Sequence, residues 1–437
     1  MPFDTCLDAL RSMMLDATQS RKAVRLSYAS AWIPPWRFEA AFYFATFYSL
    51  MAGFLGILVP LVWTGIMVVL VAFCVMRLGS SFKKVFAPIG LLLAFAISFL
   101  LVQIVVHGAS VMDDALRNII NWVLGLIVVQ TLGLRRGFSH RYIVLLLVLG
   151  LIALPYLTFM VSGDVEQARV DADLGIQGGL AHPGGLAGWF GFCAVYFAIL
   201  GLENNRVVVR VIIWLVAVGC MFIVGLTVER GPLLGMAIAI TVGFRGILRR
   251  GFAPLLGVII LAGVFSESGL FDRVVSQYQE RGMEDTGRET IWLAGIERIF
   301  DAPIVGVGAS NVAISPGGTM GTRALAPHNS FLEIALGSGV LPFTFYLGFW
   351  IAAFRRSFSR VARPVNSQFQ LPFLLYMFVT MMLGDLNTSP WSLLAIAVGA
   401  GVGVSSQTAR VLIRHNDKEP RMARPPGRGS HVVRQQL

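Results

Sequence analysis

Hydrophobic residues occur in long blocks along most of this chain, and short polar segments separate the blocks. Many blocks approach the roughly 20 residues that an α-helix needs to cross a bilayer. The pattern predicts an all-α, polytopic membrane protein of about twelve transmembrane helices. The predicted spans are 40–58, 61–76, 88–106, 118–134, 142–162, 185–202, 209–227, 231–246, 252–267, 340–354, 369–384 and 391–405.

The composition agrees with this pattern and bounds the domain organisation. Hydrophobic residues make up 56% of the chain and charged residues only 14%, whereas soluble domains carry about 25% charged residues. We predict one transmembrane domain over 40–405, which includes a large helical external loop over 267–339 between helices 9 and 10. Segment 1–39 is predicted to be cytoplasmic, as an interfacial helix or a frayed terminus, and 406–437 to be a disordered basic tail.

The net charge of +11 is explained by topology. Arginine and lysine concentrate in the short connections on one side of the predicted membrane, and acidic residues concentrate on the other side. The positive-inside rule then places both termini in the cytoplasm and the long loop outside. We therefore expect membrane lipid, and not nucleic acid, as a partner. The basic connections are 77–87, 135–141, 203–210, 245–251 and 355–368.

An arginine lies in the tight external turn Glu229-Arg230-Gly231-Pro232, between predicted helices 7 and 8. Gly231 permits the turn, and Pro232 suits the first position of the following helix. A guanidinium beside a helix N-terminus combines positive charge, fork geometry and unpaired N–H groups, which together suit a phosphate. The alternative is an arginine that anchors the hairpin by reaching the membrane surface.

A second arginine follows the same design in the long external loop. Thr286 and Glu289 have the spacing of a capping box, which places Arg288 in the first turn of a helix. An anion is stabilised at such a position. The alternative is a cover helix in which Arg288 pairs with Glu284 or Asp285. Further along the loop, we expect 306–308 (Gly-Val-Gly) to form a flexible return.

A histidine closes the long loop. His328 follows Pro327 and the external cation Arg323, and either Asn329 or Ser330 caps the helix that begins there. A histidine at this place can act as a general base near pH 7. The alternative is an interfacial histidine that bonds to a loop carbonyl. No HxxxH or HExxH spacing occurs, so we expect no metal.

These residues together suggest a reaction. One or both arginines would hold the phosphate of a lipid-linked donor, and His328 would remove the proton of an acceptor hydroxyl. Preorganised guanidinium groups would stabilise the charged leaving group of a glycosyl transfer. Arginine would then take the place of the divalent metal that many sugar-transfer enzymes use.

The order of these motifs over about 225–340 resembles the O-antigen ligase and O-antigen polymerase family of bacterial envelope glycosyltransferases. The resemblance implies a GT-C-like, metal-independent transferase without a cofactor, in the bacterial inner membrane with its active site facing the periplasm. Its donor would be a glycan on undecaprenyl diphosphate. The motifs are Arg230-Gly231; Gly287-Arg288 with Trp292; Pro303-Ile304-Val305-Gly306-Val307-Gly308; and His328-Asn329-Ser330-Phe331-Leu332-Glu333 with Gly337 and Gly339.

Carried over by residue, the resemblance makes His328 the catalytic base and assigns the diphosphate to Arg230 and Arg288. Glu229 stands where the family pattern suggests a small hydroxyl residue. Further candidates for the lining of the cavity are Arg323, His182, Asn329 and Trp292.

Three activities fit the sequence. A ligase would pass the glycan to a sugar of lipid A-core, in lipopolysaccharide biosynthesis. A polymerase of O-antigen or exopolysaccharide units would pass it to another lipid-linked glycan. A lipid or solute transporter fits less well, because the predicted spans hold almost no acidic residues at mid-membrane, where ion-coupled transporters usually keep them. We therefore expect the ligase activity, with the polymerase as its alternative.

Overall fold

The computed structural model describes residues 32–54, 60–110, 113–135, 137–156, 182–204, 206–244, 288–314, 326–360, 367–384 and 389–402. The elements in these ranges are helices. Residues 1–31 of the predicted segment 1–39, the ninth predicted span at 252–267 and the predicted tail at 406–437 lie outside the described residues. The division into these segments therefore stays a prediction.

A helix overlaps each of the remaining eleven predicted spans. The α-helices of the described residues are, in chain order, α1 (Trp36–Phe54), α2 (Pro60–Leu78), α3 (Phe82–Phe86), α4 (Gly90–Leu101), α5 (Asp114–Leu132), α6 (Phe138–Ala153), α7 (Pro183–Glu203), α8 (Val207–Leu226), α9 (Arg230–Phe244), α10 (Arg288–Asp301), α11 (Ser330–Ser338), α12 (Val340–Arg360), α13 (Ser367–Met382) and α14 (Pro390–Gly399). A π-helical turn, Val102–Val106, continues α4.

Several of these helices have the length and composition of membrane spans. Among the described residues, the segments long and apolar enough to cross a bilayer are Ala87–Val106, Ala115–Leu132, Pro183–Leu202 and Val207–Leu226. Shorter apolar helices accompany them, including Phe138–Ala153 and Gln368–Met382. The fold is therefore that of a helical membrane protein, as predicted, and the total of twelve spans stays a prediction.

The core is built around α7, which is apolar on all sides. Its large side chains Trp189, Phe192 and Tyr196 are almost completely buried, as expected for a helix surrounded by other helices. Neighbouring α8 instead exposes a face of aliphatic side chains, among them Val208 and Ile212. In a membrane protein such a face contacts lipid.

One end of the bundle is held by a buried carboxylate. Glu39, in the first turn of α1, is 0% exposed and pairs with Arg135 and Arg141, with the closest N–O distance 2.7 Å in each case. Gly133, two residues before Arg135, packs against Val402 beyond the end of α14. We call this the Glu39 end of the bundle.

Helix α13 runs from this end to the opposite one. Gln370, in its first turn, donates from Nε2 to the carbonyl oxygen of Gly399, the last residue of α14, over 2.7 Å. The carbonyl oxygen of Met381, in its last turn, accepts a 2.8 Å hydrogen bond from the hydroxyl of Ser330, the first residue of α11. We call the region around Met381 and α11 the His328 end.

Candidate active site

The short helix α11 fixes the backbone beside His328. Asn329 is its cap: Oδ1 accepts from the backbone N–H groups of Phe331 and Leu332, over 3.0 and 3.2 Å. Such a cap stabilises a helix by about 1 kcal/mol. Because Ser330 is also bonded to α13, both the start and the direction of α11 are set. The imidazole of His328, just outside the cap, is exposed.

His328 has an unusual backbone conformation. Its φ is +46°, and the other described non-glycine residue with positive φ is Val228, at +55°, two residues before Arg230. Positive φ is disfavoured for side chains with a Cβ, and most of all for a β-branched valine. Such residues cost on the order of 1–3 kcal/mol each and cluster at functional sites. Here one of them is the histidine of the predicted site, and the other lies two residues before one of its two arginines.

Helix α10 brings Arg288 to the same end. The indole Nε1 of Trp292 donates a 2.7 Å hydrogen bond to the carbonyl oxygen of Pro327, the residue before His328. Arg288 lies four residues before Trp292, which is one helical turn away on the same face. The structure describes α10 from Arg288 onward, and Thr286 of the predicted capping box lies outside the described residues.

Arg230 reaches this end through α9. The helix begins at Arg230, and Gly231 packs against Leu383 at the end of α13, two residues beyond Met381. The carbonyl oxygen of Glu229 accepts from the N–H of Leu233, so Glu229 occupies the N-cap position. Pro232 is therefore the third residue of the helix. The predicted first position is wrong. A proline is tolerated there because the first-turn N–H groups have no intrahelical partner.

His182 and Glu229 both lie beside Gly184 in the first turn of α7. His182 caps α7, and its Nδ1 accepts a 3.0 Å hydrogen bond from the backbone N–H of Gly184. A Cβ built on Gly184 would lie 3.2 Å from that nitrogen and 3.7 Å from the carboxyl carbon of Glu229. Glu229 therefore lies close to the start of α7. A carboxylate near the N-terminus of a helix is stabilised by the partial positive charge there.

The first turns of α7, α9, α10 and α11 thus gather at the His328 end. Helix N-termini carry partial positive charge and unpaired N–H groups, and both attract anions. Two of these turns also contain an arginine, at 230 and 288. A cation at a helix N-terminus is electrostatically unfavourable by itself, so the arrangement suits a multiply charged anion.

An apolar groove of about 460 Å³ adjoins the start of α11. Trp292 and Asn329 both line it, together with Phe331, Leu332 and Phe343. Arg323, which was predicted to line the cavity together with His182, Asn329 and Trp292, lies outside the described residues. The roles of all these residues stay predictions.

Two features of the site differ from the sequence-based expectation or escape it. The Gly306-Val307-Gly308 segment is a packed turn and not a flexible return, because the Val307 N–H donates to the carbonyl oxygen of Leu336 over 2.7 Å. The bond from Ser330 to Met381 was not predicted. A serine at a helix start gives no indication in the sequence of which distant carbonyl it will reach.

Fold and site together define a helical membrane protein with an anion-suited site at one end of its bundle. Residues 181–347 match the family model for O-antigen ligase (Wzy_C). This segment contains Arg230, Arg288 and His328, and the match confirms the resemblance to the O-antigen ligase family that was found in the motifs. No curated protein matches the chain.

Proposed function

We propose that this chain is an O-antigen ligase-type glycosyltransferase. It moves a glycan from undecaprenyl diphosphate to a sugar hydroxyl of lipid A-core, at the periplasmic face of the inner membrane, without a metal. The observation that carries the proposal is the gathering of His328, Arg230 and Arg288 at one end of the bundle. The match of 181–347 to the O-antigen ligase family supports it.

The chemistry follows from the residue types. The acceptor oxygen attacks the anomeric carbon of the donor sugar, and His328 takes the hydroxyl proton. The bond between that carbon and the diphosphate oxygen breaks, and the diphosphate leaves with its electron pair. Arg230 and Arg288 stabilise the negative charge that develops there. Such electrostatic stabilisation is the largest single contribution to the rate enhancement of many enzymes.

The strained backbone of His328 has a place in this scheme. A histidine on a regular first helical turn would point along the helix surface, whereas the positive φ at 328 directs the chain abruptly into the Asn329 cap. Proximity and orientation of a base contribute strongly to rate. Strain at such a residue persists only when its surroundings hold it in place, and here Trp292 and Ser330 bind on either side.

A repeat-unit polymerase is the second candidate. It would use the same donor, base and arginines, and would differ only in its acceptor, a second lipid-linked glycan. The description of the matching family as O-antigen ligase favours the first candidate. The acceptor must therefore be tested directly.

The test uses the purified full chain in detergent with a glycan on undecaprenyl diphosphate and EDTA, with and without lipid A-core. We expect a gel shift of the core acceptor. His328→Ala should lower the rate by about 10²–10⁴-fold, the usual contribution of a general base. His140→Ala is the matched control, because His140 lies on α6 near the Glu39 end, within hydrogen-bonding distance of the Tyr196 hydroxyl.

Each result has a distinct meaning. Lengthening of the glycan without core acceptor would identify a polymerase. Full activity of folded His328→Ala would exclude the proposed base. If folded wild-type protein gives neither product but moves labelled lipid into proteoliposomes, the protein is a transporter and the proposal is wrong.

A further inference from the structure

A buried glutamine lies at the C-terminal end of an apolar helix. Gln103 is 1% exposed and sits in the π-helical turn Val102–Val106. Burying an amide costs free energy unless both of its polar atoms are bonded. π-helical turns occur frequently at functional sites.

Both polar atoms of this amide are bonded to the segment that follows α10 and to α11. Nε2 donates to the carbonyl oxygen of Gly337 over 2.7 Å, and Oε1 accepts from the backbone N–H of Ala309 over 2.8 Å. The Gln103 side chain therefore joins the long loop, the C-terminal turn of α11 and a membrane helix at one point.

These bonds complete the C-terminal end of α11. The last carbonyls of a helix have no intrahelical partner. The Leu336 carbonyl accepts from Val307, the Gly337 carbonyl accepts from Gln103, and the Pro303 carbonyl accepts from the N–H of Val340 at the start of α12. We call residues 303–309 with Gln103 the α11 clamp.

The clamp and the site lie at opposite ends of one short, straight element. Helix α11 has nine residues, so its length is about 13 Å. Its N-terminal end carries Asn329 and, just outside, His328. A change at Gly337 in the position or direction of the helix is therefore transmitted to the imidazole.

We propose that Gln103 is a positioning residue that sets α11, and through it His328, for the transfer reaction. This inference rests on the proposed function. Gln103 touches no reacting atom in this account, and its effect is exerted through the Gly337 and Ala309 bonds. It should therefore change the rate of the chemical step and leave donor binding largely unchanged.

The chain supplies a closely matched control. Gln370 is also a buried glutamine, at 3% exposed, and its Nε2 also donates to a glycine carbonyl over 2.7 Å. It lies at the Glu39 end, remote from α11. Gln103→Met removes two hydrogen bonds, and Gln370→Met removes a bond of the same kind from a similar environment. A merely structural role would lower the melting temperature of both variants and leave kcat unchanged in both.

The experiment measures kcat, the KM for the donor and the melting temperature of both variants. We expect Gln103→Met to lower kcat by about ten- to a hundredfold, the effect of a misplacement near 1 Å, with KM changed by less than about twofold. Gln370→Met should keep the wild-type kcat although its melting temperature is also reduced. Equal kcat values for the two variants would overturn the proposal.

A second measurement does not depend on turnover. A cysteine placed by His328→Cys, in a background with Cys6→Ser, reports the accessibility of position 328 through its rate of maleimide labelling. Cys74, Cys193 and Cys220 are buried. We expect Gln103→Met to change that rate by about threefold or more, the scale of one lost hydrogen bond, and Gln370→Met to leave it unchanged. If wild-type protein shows no transfer, the proposed function fails, and the labelling result alone decides whether Gln103 positions α11.

Discussion

Arginines lie in first helical turns at both ends of the bundle, and we assign them different kinds of anionic partner. At the Glu39 end, Arg141 lies in the first turn of α6, an unfavourable place for a cation, and the buried carboxylate of Glu39 supplies the compensating charge through contacts of 2.7 and 2.8 Å. At the His328 end, Arg230 and Arg288 also lie in first helical turns. There we propose that the diphosphate of the donor is an anionic partner of both side chains.

The comparison separates two uses of one side chain. An arginine paired with a buried carboxylate is part of the folded structure, and its removal should affect stability first. An arginine whose proposed partner is a substrate should affect turnover first. The variants below compare these two consequences at the two ends of the same bundle.

The largest expected effect is on turnover at the His328 end. Arg288→Gln should lower the transfer rate by about 10²–10³-fold, as for loss of one group that stabilises charge in a transition state. Arg288→Lys should recover only part of it, because an ammonium lacks the guanidinium fork. Arg298→Gln on the same helix is the control, since Arg298 donates to the Ala313 carbonyl. A rate loss equal to that of the control would remove Arg288 from the site.

The next effect is on stability at the Glu39 end. Glu39→Gln leaves two arginines without their carboxylate, and breaking a buried ion pair typically costs about 3–5 kcal/mol. We expect about 2–3 kcal/mol, because the Arg135 and Arg141 side chains are 21% and 38% exposed and solvent screens them. Chemical denaturation in detergent measures this change. Glu297→Gln, an exposed position on α10, should have no such effect; equal destabilisation by both would argue against a structural role for the pair.

The smallest expected effect is on the stabilisation of the protein by its donor. A ligand that binds only the folded state raises the free energy of unfolding. If Arg230→Gln weakens donor binding about tenfold, added donor should stabilise this variant by about 1.4 kcal/mol less than the wild type. Chemical denaturation with and without donor measures the difference, and an equal shift for both proteins would remove Arg230 from the donor site.

The sequence predicted the helical membrane fold because long apolar blocks leave the backbone few alternatives in lipid. It also singled out Arg230, Arg288 and His328, since a polar residue beside a helix start has a recognisable pattern. Contacts between distant segments could not be predicted from the sequence. Neither the bond from Trp292 to Pro327 nor that from Ser330 to Met381 follows from spacing.

Gln103 is an intermediate case. An amide inside an otherwise apolar span is visible in the sequence, and the cost of leaving it unbonded predicts that it has partners. The identity of those partners, more than two hundred positions away in the chain, depends on how the loop folds back. The turn at Gly306 shows the same limit, because glycines that suggest flexibility in a sequence also permit close backbone packing.

Gly339, the single residue between α11 and α12, has φ +76° and ψ −169°. It makes the two helices the arms of one lever, with α12 on one side and His328 at the tip of the other. With an arm of about 13 Å, a pivot of about 5° at Gly339 displaces the tip by about 1 Å, the scale on which catalytic alignment is lost. The angular tolerance of the base is therefore decided at a glycine on the far side of its helix.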